Sequence, residues 1–395
     1  MKILYSTFII IAISIFLSAC KTEVQKAFEI DIDMLSAKEE KVYNLFDSLE
    51  VIPMEAHNDG FVKYALHLVS CDDYYIFLNH LQTIFVFDKQ GHFVSSSEVA
   101  KGKGHGELNG VFGCTYNKYS KLIEVLTPTA IKFYDPHFQF IKEALLPTSY
   151  PEGNTPASFF HYIYDLSETQ HLLMSKGYFA QSGKVFFFDS EKGVVYGERS
   201  FLDDVLVPYS NQHNCFVKQG DKTLLFPPYL TYSQYILDNN ALTLTQSLHY
   251  NFGDKELKRS DLSDFPTDSD EDRSNRNKFL RSTTDFMFPM QQMYCNGQMY
   301  LHIKLGKNFP DWFYCHYDMA TQELHRFKLT EDPLERFVPD FNADEQYIYF
   351  AVNEVSEVKA CIQAFDANRT IVPKNEKDSV FMQNVTILKY KPHKM

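Results

Sequence analysis

An internal repeat of about 50 residues is the feature of this sequence that most restricts its fold. Its unit is an apolar run that ends in Asp and leads through a short turn into a second run, most clearly at Ile84 to Gly91. Six such aspartates are separated by 47, 54, 49, 80 and 48 residues. A period of this length is typical of propellers and solenoids. The six aspartates are Asp88, Asp135, Asp189, Asp238, Asp318 and Asp366.

Each repeat holds about four strand-like runs, which is the number of strands in a propeller blade. The sequence therefore predicts an all-β fold, a six-bladed β-propeller with antiparallel blades over residues 45–395; a β-sandwich and a β-helix are the alternatives. Each Asp should end a strand that enters a hairpin and accept backbone N–H bonds in the turn, including the last copy at Ile362 to Asp366. Leu49 to Met54 and Val385 to Tyr390 are the candidates for closing the ring.

The interval of 80 residues is explained by an insertion at 254–285 between the fourth and fifth blades. It is polar, charged and poor in β-branched residues. We expect it to be partly helical or mobile, and to bury too little apolar area to offset its ordering entropy. It should then be the first segment that a protease cuts, near Lys255, Lys258 or Arg273.

The N-terminus resembles the signal of bacterial lipoproteins. Lys2 precedes an apolar run from Ile3 to Leu17, which is too short to span a bilayer and fits a secretory signal. Leu17-Ser18-Ala19-Cys20 resembles a lipobox. The resemblance implies a signal peptide over 1–19, acyl chains on Cys20, and a tether over 20–44. An ordinary cleaved signal and a single-pass anchor are the alternatives.

Composition excludes one class of partner and bears on the cysteines. The net charge is −13 and no basic cluster is present, which argues against nucleic acid, whose phosphates need Lys and Arg. Beyond Cys20, six cysteines remain. Five of them lie in apolar strand-like runs without CxxC spacing, which favours buried free thiols, although an even count in an exported chain also permits disulfides.

The repeat rhythm is similar to that of the NHL-like or TolB-like six-bladed propeller lipoproteins of Bacteroidetes-type bacteria. Sharp identity is confined to Ile84 to Leu108, where Gly102-Lys103-Gly104-His105-Gly106-Glu107 resembles the family's Gly-Lys-Gly-Pro-Gly-Glu loop. His105 departs from that pattern. The resemblance implies the propeller fold and export. Lys21 after Cys20 does not resemble the Asp-type signal for retention in the inner membrane, which favours the outer membrane, on a side that is left open.

Three local motifs do not support a cofactor or metal site. The loop at Gly102 lies between strands and lacks the helix that a phosphate loop requires. The run Asp268 to Asp272 lacks the sixth-position Gly and twelfth-position Glu of a calcium loop. His302 and His316 lie on neighbouring predicted strands, but no third metal ligand is identifiable. The sequence thus predicts no cofactor and no metal.

Propeller geometry indicates where a ligand would bind. The loops that join consecutive blades share one face with the turns between each blade's second and third strands, and the Asp-ended hairpins lie on the opposite face. Exposed aromatic rings near polar groups on the first face would suit a peptide or glycan. The candidate ligand-binding residues are Lys103, His105, Glu107, Tyr178, Tyr229, Tyr232, Phe309 and Trp312. For each of these residues the alternative is a place in the core, and Trp312 would then open a strand.

The repeat fold without a catalytic signature favours a membrane-anchored, non-enzymatic binding module for a protein, peptide or glycan. No catalytic residue is assigned. The alternatives are a propeller hydrolase or lyase, for which three or more carboxylates or imidazoles should converge at the central channel, and a structural subunit of an envelope complex.

Overall fold

The computed structural model describes residues 28–33, 37–57, 61–147, 160–175, 183–201, 214–266, 269–305, 312–329, 342–365, 367–372 and 384–393. Three strands at the start of this range belong to blades formed much later in the chain. They are β1 (Phe28–Asp31), β2 (Lys38–Glu40) and β3 (Phe46–Pro53). The predicted tether 20–44 therefore includes two segments that pair with the propeller.

Five blades follow, each with four consecutive antiparallel strands, and we number them blades 1 to 5; β1 and β2 add a fifth strand to blades 4 and 5. Their strands are β4 (Ala65–Ser70), β5 (Tyr74–Asn79), β6 (Ile84–Asp88) and β7 (Phe93–Ser96) in blade 1; β8 (Gly113–Asn117), β9 (Leu122–Leu126), β10 (Ala130–Tyr134) and β11 (Phe140–Leu145) in blade 2; β12 (Phe160–Asp165), β13 (Gln170–Ser175), β14 (Lys184–Asp189) and β15 (Val194–Ser200) in blade 3; β16 (Phe216–Gln219), β17 (Lys222–Leu225), β18 (Ser233–Asp238) and β19 (Thr243–Asn251) in blade 4; and β20 (Met287–Cys295), β21 (Gln298–Leu305), β22 (Trp312–Asp318) and β23 (Leu324–Leu329) in blade 5.

Blade 6 joins the two ends of the chain. Its strands from the later sequence are β24 (Asn342–Ala343), β25 (Ile348–Val352), β26 (Thr370–Ile371) and β27 (Thr386–Pro392). The N-terminal β3 pairs antiparallel with β27, from Pro53 opposite Thr386 to Leu49 opposite Tyr390. Both predicted closing segments thus pair with each other, and the fold is the predicted six-bladed β-propeller.

Six hydrophobic clusters of the described residues each fill one interface between neighbouring blades. Ile76 of blade 1 packs with Ile123 of blade 2, for example, and Phe350 of blade 6 packs with Cys295 of blade 5. The remaining clusters join blades 2 and 3, 3 and 4, 4 and 5, and 6 and 1. The core is therefore a ring of interfaces rather than one central mass.

Five of the six repeat aspartates behave as predicted. Asp88, Asp189, Asp238 and Asp318 are the last residues of their strands, and Asp135 directly follows β10. Each accepts backbone N–H groups two to four residues later; Asp88 Oδ1 bonds the amides of Gln90 and His92 at 2.9 and 2.8 Å. Equivalent bonds, from the backbone N–H two residues later to the Asp Oδ1 atom, form at Asp135, Asp189, Asp238 and Asp318.

The sixth copy was predicted wrongly. Ile362 to Ala364 end a helix, α2 (Val355–Ala364), instead of forming a strand. Val358 and Cys361, one helical turn apart, are buried against blade 6, so the apolar spacing is that of a helix face. The third strand of blade 6 is β27, and Asp366 itself lies outside the described residues.

The insertion is partly helical, as expected, but it buries more apolar surface than predicted. Its helix is α1 (Asp270–Ser282), which begins in a capping box between Ser269 and Asp272. Leu257, Leu262 and Leu280 are buried in the cluster between blades 4 and 5. These three buried leucines correct the expectation that the insertion buries too little apolar area to offset its ordering entropy. Among the described residues, no helix is long and apolar enough to cross a membrane.

Candidate functional site

A cavity of about 330 Å³ occupies the central channel of the propeller. Its wall consists of the inner strands of blades 1, 2, 3 and 4 and of blade 6, that is β4, β8, β12, β16 and β24 with the residues just before them. An inner strand is paired on one side only, so its other edge presents backbone N–H and C=O groups to the channel. The channel therefore offers polar groups even where its side chains are apolar.

Two asparagine side chains connect three blades across this cavity. Asn214 Nδ2 donates to Asn342 Oδ1 at 2.9 Å and to the carbonyl oxygen of Ala343 at 3.2 Å. Asn342 Nδ2 in turn donates to the carbonyl oxygen of Leu68 on β4. The chain of bonds links the entrances of blades 4 and 6 to blade 1. It holds the two amide groups in place at the wall.

Aromatic side chains line the opposite part of the wall, between blades 2 and 4. Phe112 stacks on the ring of His161, with centroids 5.0 Å apart and planes within 9°. Tyr164 stacks on Phe216 at 5.2 Å. The strands approach closely here because Gly113 has no side chain; a Cβ atom at this position would lie 2.3 Å from the carbonyl oxygen of His161.

The described part of the cavity wall carries no carboxylate and has two imidazoles, those of His67 and His161. Burial lowers the pKa of His67 to about 4, so its ring is neutral at neutral pH. This part of the wall therefore lacks the three converging carboxylates or imidazoles that the hydrolase alternative requires. It presents amides, hydroxyls, a neutral imidazole and aromatic faces.

A second, shallower pocket of about 250 Å³ lies on the blade-joining face beside the glycine-rich loop. Gln82, from the turn between β5 and β6, and Lys103, from the loop between blades 1 and 2, both line it. The two kinds of loop thus share one face, as predicted. Lys103 is exposed, and it is the predicted ligand-binding residue of this loop that lines the pocket.

Glu107 and His105 have other positions in the same loop. Glu107 Oε2 accepts the backbone N–H of Gly104 at 2.7 Å and occupies the space where a Gly102 side chain would lie. Glu107 thus stabilises the loop, which explains the need for glycine at position 102. The exposed His105 ring packs against Phe140, with centroids 5.0 Å apart, and lies 3.8 Å from the Glu143 carboxylate.

Tyr229 and Tyr232 are buried, which corrects their prediction as exposed ligand-binding aromatics. The Tyr229 hydroxyl donates to the carbonyl oxygen of Ser175. The Tyr232 hydroxyl donates to the carbonyl oxygen of Met287 and accepts the N–H of Leu257, both at 2.8 Å. Both tyrosines therefore connect neighbouring blades. The apolar run around them packs between blades, so their side chains belong to the core.

The remaining predicted residues are not tested by the described structure. Cys20, Tyr178 and Phe309 lie outside the described residues. Trp312 is the first residue of β22, and its side chain is not among those described. The six other cysteines are free thiols, five buried and Cys71 partly so, as the sequence favoured.

The sequence analysis missed a buried ionisable cluster between blades 2 and 3. His171 Nδ1 lies 2.9 Å from Asp165 Oδ1 and 3.2 Å from Glu124 Oε2. Burial and the charge of Glu124 raise the pKa of Asp165 well above its usual range. Burial alone would lower the pKa of His171, but the hydrogen bond with Asp165 and the negative charge of Glu124 outweigh it and raise that pKa to about 9. The available signal was Glu124 itself, a charged residue inside the apolar run Leu122 to Leu126.

A solved structure of another protein shares the fold. The chain is similar to the "Putative exported protein" of Bacteroides fragilis NCTC 9343, with a TM-score of 0.63 and 14% identity, over 93% of this chain and 99% of that one. It also aligns with the Pan2 WD40 domain of Neurospora crassa, with a TM-score of 0.42 and 9% identity, over 84% and 76% of the two chains. A protein of unknown function from Bacteroides caccae aligns with a TM-score of 0.39 and 8% identity, over 71% and 93%.

No curated protein matches the sequence. The identity to the protein from Bacteroides fragilis is low, so that similarity shows the fold alone. A family model does match, over residues 27–386, which is nearly the whole length of the propeller. The chain belongs to the family described as "Domain of unknown function (DUF4934)".

Proposed function

We propose that the protein is a lipid-anchored, non-enzymatic binding module of the cell envelope that binds an uncharged segment of a glycan in its channel cavity. The observation that carries this proposal is the wall of the cavity itself. It combines fixed amides, hydroxyl groups and stacked aromatic rings without a described charged group. Sugar hydroxyls need both donors and acceptors, and each Asn side chain supplies both.

The size of the cavity fits this class of ligand. A volume of about 330 Å³ lies at the lower end of the range for small-molecule sites, roughly 300–1,000 Å³. It suits one end of a polymer rather than a folded protein surface. Aromatic faces such as Tyr164 on Phe216 offer apolar contact to the C–H side of a sugar ring.

The anchor and the direction of β1 support an orientation with the hairpin face towards the membrane. β1 pairs parallel with β19, which starts just after the hairpin at Asp238. β1 thus runs from the hairpin face towards the blade-joining face. An extended segment from Cys20 to Phe28 spans at most about 29 Å. A lipid on Cys20 would then hold the hairpin face nearer the membrane.

The proposal also covers the location of the protein and its propeller subtype. The similar protein from Bacteroides fragilis is named as exported, which supports an exported location for this chain. The lipobox at Cys20 supports lipid attachment, with the outer membrane as the membrane. The loop Gly102 to Glu107 supports the NHL-like or TolB-like subtype.

A substitution at the mouth of the cavity tests the proposal. Leu66 lines the cavity and is 43% exposed, so Leu66→Trp narrows the mouth without removing a core residue. Leu145→Trp is the matched control, because Leu145 is 64% exposed on β11, the outer strand of blade 2. Binding of envelope glycans and peptides to the mature protein is measured by calorimetry.

We expect Leu66→Trp to weaken glycan binding about tenfold or more, equivalent to about 1.4 kcal/mol, and Leu145→Trp to leave it unchanged. Glycan binding that resists Leu66→Trp would place the site elsewhere. Binding of peptides in place of glycans would show that the ligand class is wrong.

A further inference from the structure

We propose that Glu124, Asp165 and His171 hold one divalent transition-metal cation that joins blade 2 to blade 3. Glu124 lies on β9 of blade 2, and the other two ligands lie on β12 and β13 of blade 3. The glutamate and histidine side chains are fully buried, and that of Asp165 is 6% exposed. The sequence alone indicated no metal site, because the ligands come from different strands and share no local motif.

The spacing of the donor atoms fits a small cation. The three donor atoms all lie within 4.8 Å of one another, and His171 Nδ1 lies 2.9 and 3.2 Å from the two carboxylate oxygens. A tetrahedral Zn²⁺ with bonds of about 2.0–2.1 Å keeps its ligand atoms about 3.3 Å apart. The two distances from His171 Nδ1 match this spacing to within a few tenths of an ångström.

The hydrogen bonds around the cluster orient its donors toward one point. The Ser190 hydroxyl donates to the carbonyl oxygen of Thr169 at 3.1 Å, so it accepts the N–H of His171 Nε2 at 2.9 Å. This bond places a proton on Nε2 and directs Nδ1 towards the carboxylates. Metal-bound histidines usually have such a partner on their second nitrogen.

Glu124 supplies a second, independent indication. Its Oε1 accepts the Asn117 amide at 2.8 Å, whereas its Oε2 is buried without a hydrogen-bond donor. A buried carboxylate oxygen in that state is costly unless a cation faces it. Oε2 is also the oxygen that faces His171 Nδ1, at 3.2 Å.

The kind of cation follows from the donor set and the burial. Two carboxylates neutralise the charge of a divalent cation, and the imidazole adds a nitrogen ligand once the cation displaces its Nδ1 proton. Ca²⁺ takes six to eight oxygens and Mg²⁺ keeps several waters, which a buried site with three donors does not supply. One imidazole with two carboxylates suits Zn²⁺ and similar transition metals.

The test measures metal content. The mature protein is unfolded, stripped of metal, refolded with Zn²⁺ and dialysed, and zinc per chain is determined by mass spectrometry. We expect about one zinc per chain, because a structural metal binds as the chain folds. Glu124→Gln keeps the acceptor for Asn117 and removes one ligand, so zinc should fall about tenfold or more. His92→Gln is the control, since His92 and Asp88 form an exposed pair 3.0 Å apart.

Two results would overturn the proposal. One is wild-type protein that refolds without zinc; the other is a Glu124→Gln protein that retains as much zinc as His92→Gln. Circular dichroism checks the fold of each variant. If Glu124→Gln does not fold, the wild-type chain is refolded with Co²⁺ and its absorption spectrum is measured. A spectrum of tetrahedral Co²⁺ with nitrogen and oxygen ligands supports the site, and the spectrum of hydrated Co²⁺ contradicts it.

Discussion

At the scale of single residues, five aspartate carboxylates stabilise the turns that directly follow them in the chain. The Asp-ended turns were predictable because Asp238, for example, needs only the N–H groups of Asn240 and Ala241. These two bonds lower the pKa of Asp238. Tyr232 and Glu124 were not predictable, since their partners Met287 and His171 are distant in sequence and adjacent only after folding.

Two buried histidines of blade 5 predict sensitivity to acid. Burial lowers the pKa of His302 to about 3 and that of His316 to about 4. The folded state therefore holds both rings neutral, while the unfolded chain takes up protons below about pH 6.5. Stability should fall as the pH decreases from about 6.5 towards 4, and each histidine should contribute a loss of about 2 kcal/mol between pH 7 and 5.

Urea unfolding of the His316→Gln variant at pH 7 and at pH 5 checks this predicted loss of stability. The substitution removes the stacking of His316 on Tyr300, so the variant is less stable at pH 7. Its loss of stability on going to pH 5 should nevertheless be about 2 kcal/mol smaller than that of the wild type. His137→Gln, at an exposed position, should show the wild-type difference. An unchanged difference in His316→Gln would contradict the prediction.

At the scale of elements, the pattern of strands was predictable, whereas α2 and the packing of the insertion were not. The interval between aspartates correctly located the insertion, and its composition indicated helix. Composition could not show that Leu257, Leu262 and Leu280 pack together with Tyr232 and Met287 in one cluster. The same limit applies to α2. Its apolar run is short, and the spacing of apolar residues in a short run fits either a strand or a helix.

Removing one anchor should detach the insertion helix. Leu280 is fully buried, so Leu280→Ala should cost about 2–5 kcal/mol of stability. It should also speed tryptic cleavage at Arg273 and Lys278, because α1 separates more often from the blades. Asn275→Ala, on the exposed side of α1, should change stability by less than about 0.5 kcal/mol. Equal cleavage rates in both variants would show that α1 is not held by Leu280.

At the scale of the whole molecule, the ring depends on pairing the two ends of the chain. β3 supplies the fourth strand of blade 6, and Leu49 and Val51 fill the cluster between blades 5 and 6. β1 and β2 instead add a parallel fifth strand to blades 4 and 5. The N-terminal segments therefore differ in importance: β3 closes the ring, and β1 and β2 cover edges.

Truncation should separate these contributions. Removal of residues 1–41 leaves β3 in place, so the protein should still unfold cooperatively, with more association through the exposed edges of β19 and β23. Removal of residues 1–54 also deletes β3 and should abolish the cooperative transition. Removal of residues 1–27 is the control. Thermal unfolding and size-exclusion chromatography provide the measurements, and a cooperative transition after removal of residues 1–54 would contradict this account of closure.

The sequence by itself determined the number of repeats and the turns at five aspartates; it also identified the two candidate closing segments and favoured free thiols. These properties depend on local periodicity and on interactions within a few residues, which a single chain displays directly. The tertiary structure decided which aromatics are buried, what anchors the insertion, what lines the channel and how Glu124 meets Asp165 and His171. Those properties depend on contacts between blades, and residues that meet across a blade interface are separated in sequence by the length of a repeat or more.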